Sequence, residues 1–391
     1  MHRFYKLFIL SLVISLGWCS TDAEAQNSKA IPGDQQIDTY LPLIFDKRVA
    51  LVVNHTSVLN KTHLADTLLS LKVPIKKIFA PEHGFRGTAD AGAHIDNGKD
   101  EKTGLPIISL YGSHKKPTKA DLDGIDVVIF DIQDVGTRFY TYSSTLHYVM
   151  EACAENSVKL IILDRPNPNG HYVDGPILEK EFASFVGLNP TPVVHGCTLG
   201  ELAKMMNGEA WLDRGIQCDL TVIPVKKYKH SDKVHISIAP SPNLPNDQAI
   251  GLYPSLCLFE GTNVSIGRGT NKQFQVVGTN VEGLGDFSFT PEPKPGAMDP
   301  PLKGKPCYGF DLTQIDTRQL GFSLKYLFYF FEKTGKKESF FTSPSFFDKL
   351  AGTDELRKMM LEGKSEKEIR DTWKEGLREY RKIREKYLIY R

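Results

Sequence analysis

Residues 127–163 read VVIFDIQDVGTRFYTYSSTLHYVMEACAENSVKLIIL, and the fold is decided there. The two ends, 127–131 and 159–163, are short apolar runs without polar alternation, the pattern of strands buried on both faces. Between them Tyr142, Leu146, Val149, Met150 and Cys153 recur at helical spacing, which predicts a helix over 142–156. Strand, covering helix and second apolar strand make the repeating unit of a parallel sheet. The same alternation runs upstream, with strands expected at 48–54, 75–80 and 107–111 and a helix at 62–71, and downstream to a strand-like 220–225. The expectation is an α/β chain with a Rossmann-like parallel sheet covered on both faces. One hallmark is missing. The first strand leads into Asn54-His55-Thr56-Ser57 and not G-x-G-x-x-G, so a nicotinamide or flavin loses its main support and no cofactor is expected.

Beyond residue 225 the texture changes to Pro-rich and Gly-rich stretches around Ser241-Pro242-Asn243 and a loop-like region over 290–306, followed by a basic helical end. Residues 365–378 and the 381–390 tail read as a surface helix that would dock through Ile369, Trp373, Leu377, Ile383 and Leu388. The organisation expected is a signal peptide over 1–25, a Rossmann-like catalytic subdomain over 26–225, and a smaller α+β auxiliary subdomain over 226–391 that completes a cleft. The leader reading rests on Arg3 and Lys6, an apolar run from Leu7 to Trp18, and Ala23-Glu24-Ala25 at the expected cut. It implies a periplasmic or secreted protein. Lipoprotein anchoring at Cys19 is the alternative, weakened by bulky Trp18 where a small residue is expected. No second apolar stretch reads as a membrane span. With a formal net charge of +1, the chain carries no electrostatic signature of a nucleic-acid partner. Five widely spaced cysteines after the leader form neither a disulfide framework nor a zinc knuckle.

Four polar segments stand where apolar runs stop: 81–87 (PEHGFRG), 131–138 (DIQDVGTR), 164–170 (DRPNPNG), and 260–263 running on to 267–270 (EGTN, GRGT). Loops at the carboxyl ends of parallel strands hold ligands in open α/β sheets, and these carry carboxylates, a histidine, amides and arginines. That equipment suits an anionic, hydroxyl-rich substrate. In Thr198-Leu199-Gly200-Glu201, by contrast, the spacing is that of a capping box, so Glu201 is read as a helix cap.

Together with VDGP at 173–176, HG-x-T-x-GELA from His195, and PSPN-x-P from Pro240, these segments resemble a bacterial family of exo-acting β-N-acetylmuramidases. The resemblance spans nearly the whole chain after the leader. It implies a glycoside hydrolase that removes N-acetylmuramic acid from the non-reducing ends of peptidoglycan fragments, with its site between a Rossmann-like and an auxiliary subdomain.

Glycosidic hydrolysis ordinarily takes a carboxylic acid to protonate the leaving oxygen, with a base, a nucleophile or the substrate's own acetamido group opposite. Glu82, after Pro81 at a strand end, is the first choice for the acid, with His83 to position or tune it. Asp131, Asp134, Asp164 and Glu260 compete for the second role. Glu260 opens a loop from the other subdomain and so can reach across a cleft. Arginine suits the lactyl carboxylate peculiar to muramic acid, because its guanidinium grips a carboxylate in two-pronged geometry. Arg268 and Arg138 lead over Arg86 and Arg165. Asn167, Asn243 and Asn263 are candidate partners for hydroxyls or the acetamide, and Asp164 and Arg165 complete the expected binding set. Tyr140 and Tyr142 either stack on a sugar or pack. Two other readings stay open: a metal-dependent hydrolase using His83, Asp131 and His195, although His-x-x-x-His spacing is absent, and a non-catalytic periplasmic glycan-binding protein. No metal is expected. G-x-S-x-G and S-x-x-K nucleophile sites are not recognisable in the required strand context.

Overall fold

The computed structural model describes residues 30–85 and 97–391; the expected leader, Cys19 and Arg86 lie outside them. The first half of the chain runs α1 (Ile37–Ile44), β1 (Val49–Val53), β2 (Val58–Leu59), β3 (Thr62–His63), α2 (Leu64–Ser70), β4 (Ile75–Ala80), β5 (Gly98–Lys99), β6 (Pro106–Ser109), α3 (Lys119–Leu122), β7 (Val127–Asp131), α4 (Tyr142–Glu155), β8 (Lys159–Leu163), α5 (Leu199–Gly208) and β9 (Leu220–Ile223). The second half adds α6 (Asp247–Leu256), β10 (Val276–Thr279), β11 (Phe287–Phe289), β12 (Cys307–Asp311), α7 (Thr317–Leu320), α8 (Lys325–Lys333), α9 (Pro344–Ala351), α10 (Glu355–Leu361) and α11 (Glu366–Glu385).

The sheet order is β5-β6-β4-β1-β7-β8-β9, parallel throughout except for the short edge strand β5. Without that edge strand, the order from β6 is the 3-2-1-4-5-6 of a dinucleotide fold, whose direction of winding reverses between β1 and β7. Strands β1, β7 and β8 are apolar along their length because both faces are covered, save Asp131 at the end of β7 and Lys159 at the start of β8. Ala50, Val52, Val128, Phe130, Leu160 and Ile162 face α4 and α5, while Val49, Leu51, Val127, Ile129 and Ile161 face α1 and α2. Each such buried aliphatic side chain contributes about 1.5–3 kcal/mol relative to exposure.

Two helices differ from the sequence reading. Thr62 and His63 pair with Val58 and Leu59 as a small hairpin, and the helix begins only at Leu64, capped by His63 Nδ1 accepting from Ala65 N at 3.1 Å. The C-terminal helix, α11, is started by the Ser365–Glu368 capping box but ends at Glu385, and residues 386–391, expected to belong to it, turn back toward the sheet. The auxiliary region carries the antiparallel sheet β10-β12-β11 beside α6 to α11. Its core is not separate: Phe330, Phe347 and Trp373 belong to the same buried cluster as Phe130 and Leu160. All five described cysteines are buried free thiols.

Candidate active site

Strand β4 delivers Ala80 to the carboxyl edge of the sheet, and Pro81 to Gly84 then form a tight turn closed by Gly84 N donating to Pro81 O at 2.9 Å. His83 sits in this turn at φ 69, a left-handed conformation that costs a β-carbon-bearing residue free energy. The turn holds His83 buried and leaves Glu82 half-buried facing a cleft of about 880 Å³. Thr141, just before α4, donates from Oγ1 to Glu82 Oε2 at 2.6 Å. Tyr111, just past β6, also hydrogen-bonds Glu82; burial and the Glu82 charge push its phenol above the usual range.

The opposite wall comes from the auxiliary region. Glu260 ends α6's 3-10 extension, and Arg268 returns over the same wall, its Nε donating to Glu260 Oε1 at 3.0 Å while Nη2 binds the same oxygen. The Nη1 donors make no hydrogen bond among the described residues. The guanidinium lies 5.1 Å from the Phe274 ring centroid, which fixes its plane. Asn243 borders the cleft at the tip of the Ser241–Leu244 turn and donates from Nδ2 to Gly296 O at 2.8 Å. Gly296, at φ 87, is pressed against Pro242, where an added Cβ would lie 2.5 Å from that ring. These contacts tie the 241–244 turn to the loop over the cleft.

One cleft thus gathers Glu82, His83, Asn243, Glu260 and Arg268. The other expected site residues lie elsewhere. Arg138 is 2% exposed and donates to the carbonyls of Pro176, Thr191, Leu350 and Ala351, so it clasps loops and meets no ligand carboxylate. Asp164 is fully buried; it accepts from Thr198 Oγ1, Gly200 N and Tyr390 OH, and burial pushes its pKa up to about 6. Asn167 braces its own loop, accepting from Asn169 N and donating to Cys197 O. Arg165 spends its donors on Asp131 and Asp34 in a buried ion cluster. Asp134 is buried and does not border the cleft; it accepts from Gly136 N, and burial raises its pKa to about 7. Asn263 is held by its backbone to Phe340 and Thr279 and does not border the cleft. Arg138, Asp164 and Asn167 are buried and spend their polar atoms on carbonyls, hydroxyls and amides of the protein itself, which corrects the substrate-contacting role expected for them.

His195 is buried and neutral, with burial pushing its pKa down to about 3 and Nδ1 accepting from Cys197 N. Among the described residues no three His, Cys, Asp or Glu side chains are grouped to hold a metal ion. Sequence reading missed Tyr111 and Thr141. Tyr111 closes the expected strand 107–111 and was legible as a strand-end residue; Thr141 carried no signal beyond its place before a helix.

A Rossmann-like sheet whose carboxyl edge turns a hydroxyl-held carboxyl group toward an arginine-paired carboxylate across a sugar-sized cleft is the equipment of a glycoside hydrolase. Comparison with known proteins narrows the class. The sequence profile for "Exo-beta-N-acetylmuramidase NamZ, N-terminal" matches residues 49–248, and its C-terminal counterpart matches 251–390. The chain belongs to this exo-β-N-acetylmuramidase family. It is 38% identical to the peptidoglycan beta-N-acetylmuramidase NamZ of Bacillus subtilis (strain 168), over 96% of each chain. Two crystal structures of DUF1343 family proteins from Bacteroides fragilis NCTC 9343 share the fold. One has a TM-score of 0.86 at 46% identity and the other 0.81 at 28%, each covering 93% of this chain and 99% of its own.

Proposed function

We propose that this enzyme releases N-acetylmuramic acid from the non-reducing end of peptidoglycan fragments, acting outside the cytoplasm after export, in cell-wall turnover or recycling. The observation that carries the reading is Glu82, set between the Thr141 and Tyr111 hydroxyls at the edge of a cleft whose far wall is the Glu260–Arg268 pair. Hydroxyls both donate and accept, so the same two partners hold a carboxyl group in its protonated and its ionised state. A general acid that protonates the leaving oxygen passes through both. Glu260, paired with the Arg268 guanidinium, suits the base, nucleophile or acetamide-orienting role. The unengaged edge of Arg268 supplies donors for the lactyl carboxylate.

The test is release of N-acetylmuramic acid from a muramyl-glucosamine disaccharide without added metal, with Glu82→Gln beside the wild type. The amide cannot donate the proton, so turnover falls by roughly 100-fold or more at an unchanged melting temperature. Near-normal turnover at an unchanged melting temperature removes Glu82 from the mechanism. Abolition of wild-type activity by a chelator, with recovery on adding zinc, transfers the enzyme to the metal-dependent class.

A further inference from the structure

The cleft has a second end. Contacts among its lining residues, bridged by the buried Tyr142, order them from one end to the other. From Glu82 the neighbours on one side are Thr141 and Tyr142. Ring contacts continue from Tyr142 to Tyr140 at 4.8 Å, Tyr253 at 5.8 Å and Phe274 at 5.0 Å, where Arg268 lies. On the other side Glu82 meets Tyr111, and Tyr111 meets Phe185 at 5.8 Å. Glu82 therefore lies between an arginine end and an aromatic end. Among the described residues, a muramyl residue with its carboxylate at Arg268 and its glycosidic oxygen at Glu82 leaves the aromatic end for the sugar that departs.

We propose that Phe185, with Tyr111 and Val186, is the leaving-group subsite and packs the apolar face of an N-acetylglucosamine unit. The proposal rests on the muramidase reading of the cleft. Phe185 is presented for contact: it stands with Val186 at the tip of a turn whose ends, Ser184 and Gly187, exchange two backbone hydrogen bonds of 2.9 and 2.8 Å. Both tip side chains are half-buried and border the cleft. Gly187 packs on Arg138, where an added Cβ would lie 3.1 Å from Cγ and Cδ, and Arg138 is itself clasped by four carbonyls. The motif arginine is thus the anvil under the turn. Tyr148 runs parallel to Phe185 at 6.4 Å and fixes its plane, while Lys115 Nζ lies 5.1 Å from its centroid. That flexible lysine holds the place a sugar face takes, and a contact of this kind at a half-exposed site is readily displaced.

The test uses Glu82→Gln, in which turnover is slowed by roughly 100-fold or more, and titrates it calorimetrically with muramyl-glucosamine disaccharide and with N-acetylmuramic acid alone. Adding Phe185→Ala weakens the disaccharide about ten-fold, the size expected for exposing roughly 50 Å² of apolar surface, and leaves N-acetylmuramic acid within two-fold. Phe185→Tyr restores disaccharide affinity. Unchanged disaccharide affinity in Phe185→Ala overturns the subsite, and so does an equal loss for both ligands, which would make Phe185 a support of the whole cleft. If neither ligand binds while Phe185 is intact, the muramidase reading itself has failed.

Discussion

Arg138 and Arg268 look alike in sequence, each inside a Gly-containing polar motif, yet one is buried under carbonyls and the other borders the cleft. What separates them is the partner. A guanidinium facing only carbonyl oxygens is a clasp, because nothing there compensates its charge except dipoles that it in turn satisfies. Arg268 shares its charge with Glu260 through one edge and keeps another unengaged. Arg268→Ala is accordingly expected to weaken muramic substrates by roughly 2–4 kcal/mol more than the matching glucosamine analogue, measured as kcat/KM for the two sugars. Part of that loss comes from Glu260, which without its partner repels the lactyl carboxylate. Equal losses on both sugars would show that Arg268 only holds the wall. Glu82, His83, Glu260 and Arg268 were legible because each ends an apolar run in a motif too polar for a turn. Asp164 and Asn167 met the same criterion and failed it, since whether a strand-end side chain points into the cleft or back under the loop depends on chain far away in sequence, such as Tyr390.

At the scale of elements, the strands 127–131 and 159–163 were readable to the residue because burial on both faces confines their polar residues to the ends, Asp131 and Lys159. The hairpin of β2 and β3 was not readable, because two-residue strands carry no period. Helix α5 shows how a local signal acquires a distant duty. Its Thr198–Glu201 capping box is complete, and Thr198 Oγ1 also donates to Asp164 Oδ2 at 2.7 Å. Thr198→Ala removes the cap and one donor to a buried carboxylate together, for an expected loss of about 2 kcal/mol in urea unfolding. Thr198→Ser, which keeps the hydroxyl, stays within about 0.5 kcal/mol of the wild type. If Ser destabilises as much as Ala, the packing of the threonine methyl outweighs the hydrogen bonds.

The whole molecule is closed by its last residues. Tyr390 OH binds Asp164, Val225 N donates to the same hydroxyl, and the amides of Ile389 and Tyr390 donate to Glu201 Oε1, so the chain's end is fastened to the sheet's own capping groups. Sealing the sheet in this way buries carboxyl groups whose protonation then couples to folding. Burial pushes Asp134 from 3.8 up to about 7 and raises Asp34 in the same direction, while His195 moves the opposite way, to about 3. The pH profile of the wild type mixes these opposing contributions, but a substitution isolates one. Between the unfolded value near 4 and the folded value near 7, native Asp134 keeps a proton that the unfolded chain releases. Its contribution is therefore fully present below about pH 4 and is lost as pH rises through about 7. Asp134→Asn has no such proton and keeps an oxygen for Gly136 N. Relative to this variant, the wild type is expected to lose roughly 1.4 kcal/mol per pH unit across that window and to run parallel to it outside. Urea unfolding of both proteins at several pH values reads the difference directly. A constant offset across the range would mean that Asp134 is ionised in the folded protein, and a rate loss in the variant at unchanged stability would give this buried carboxyl a part in the chemistry.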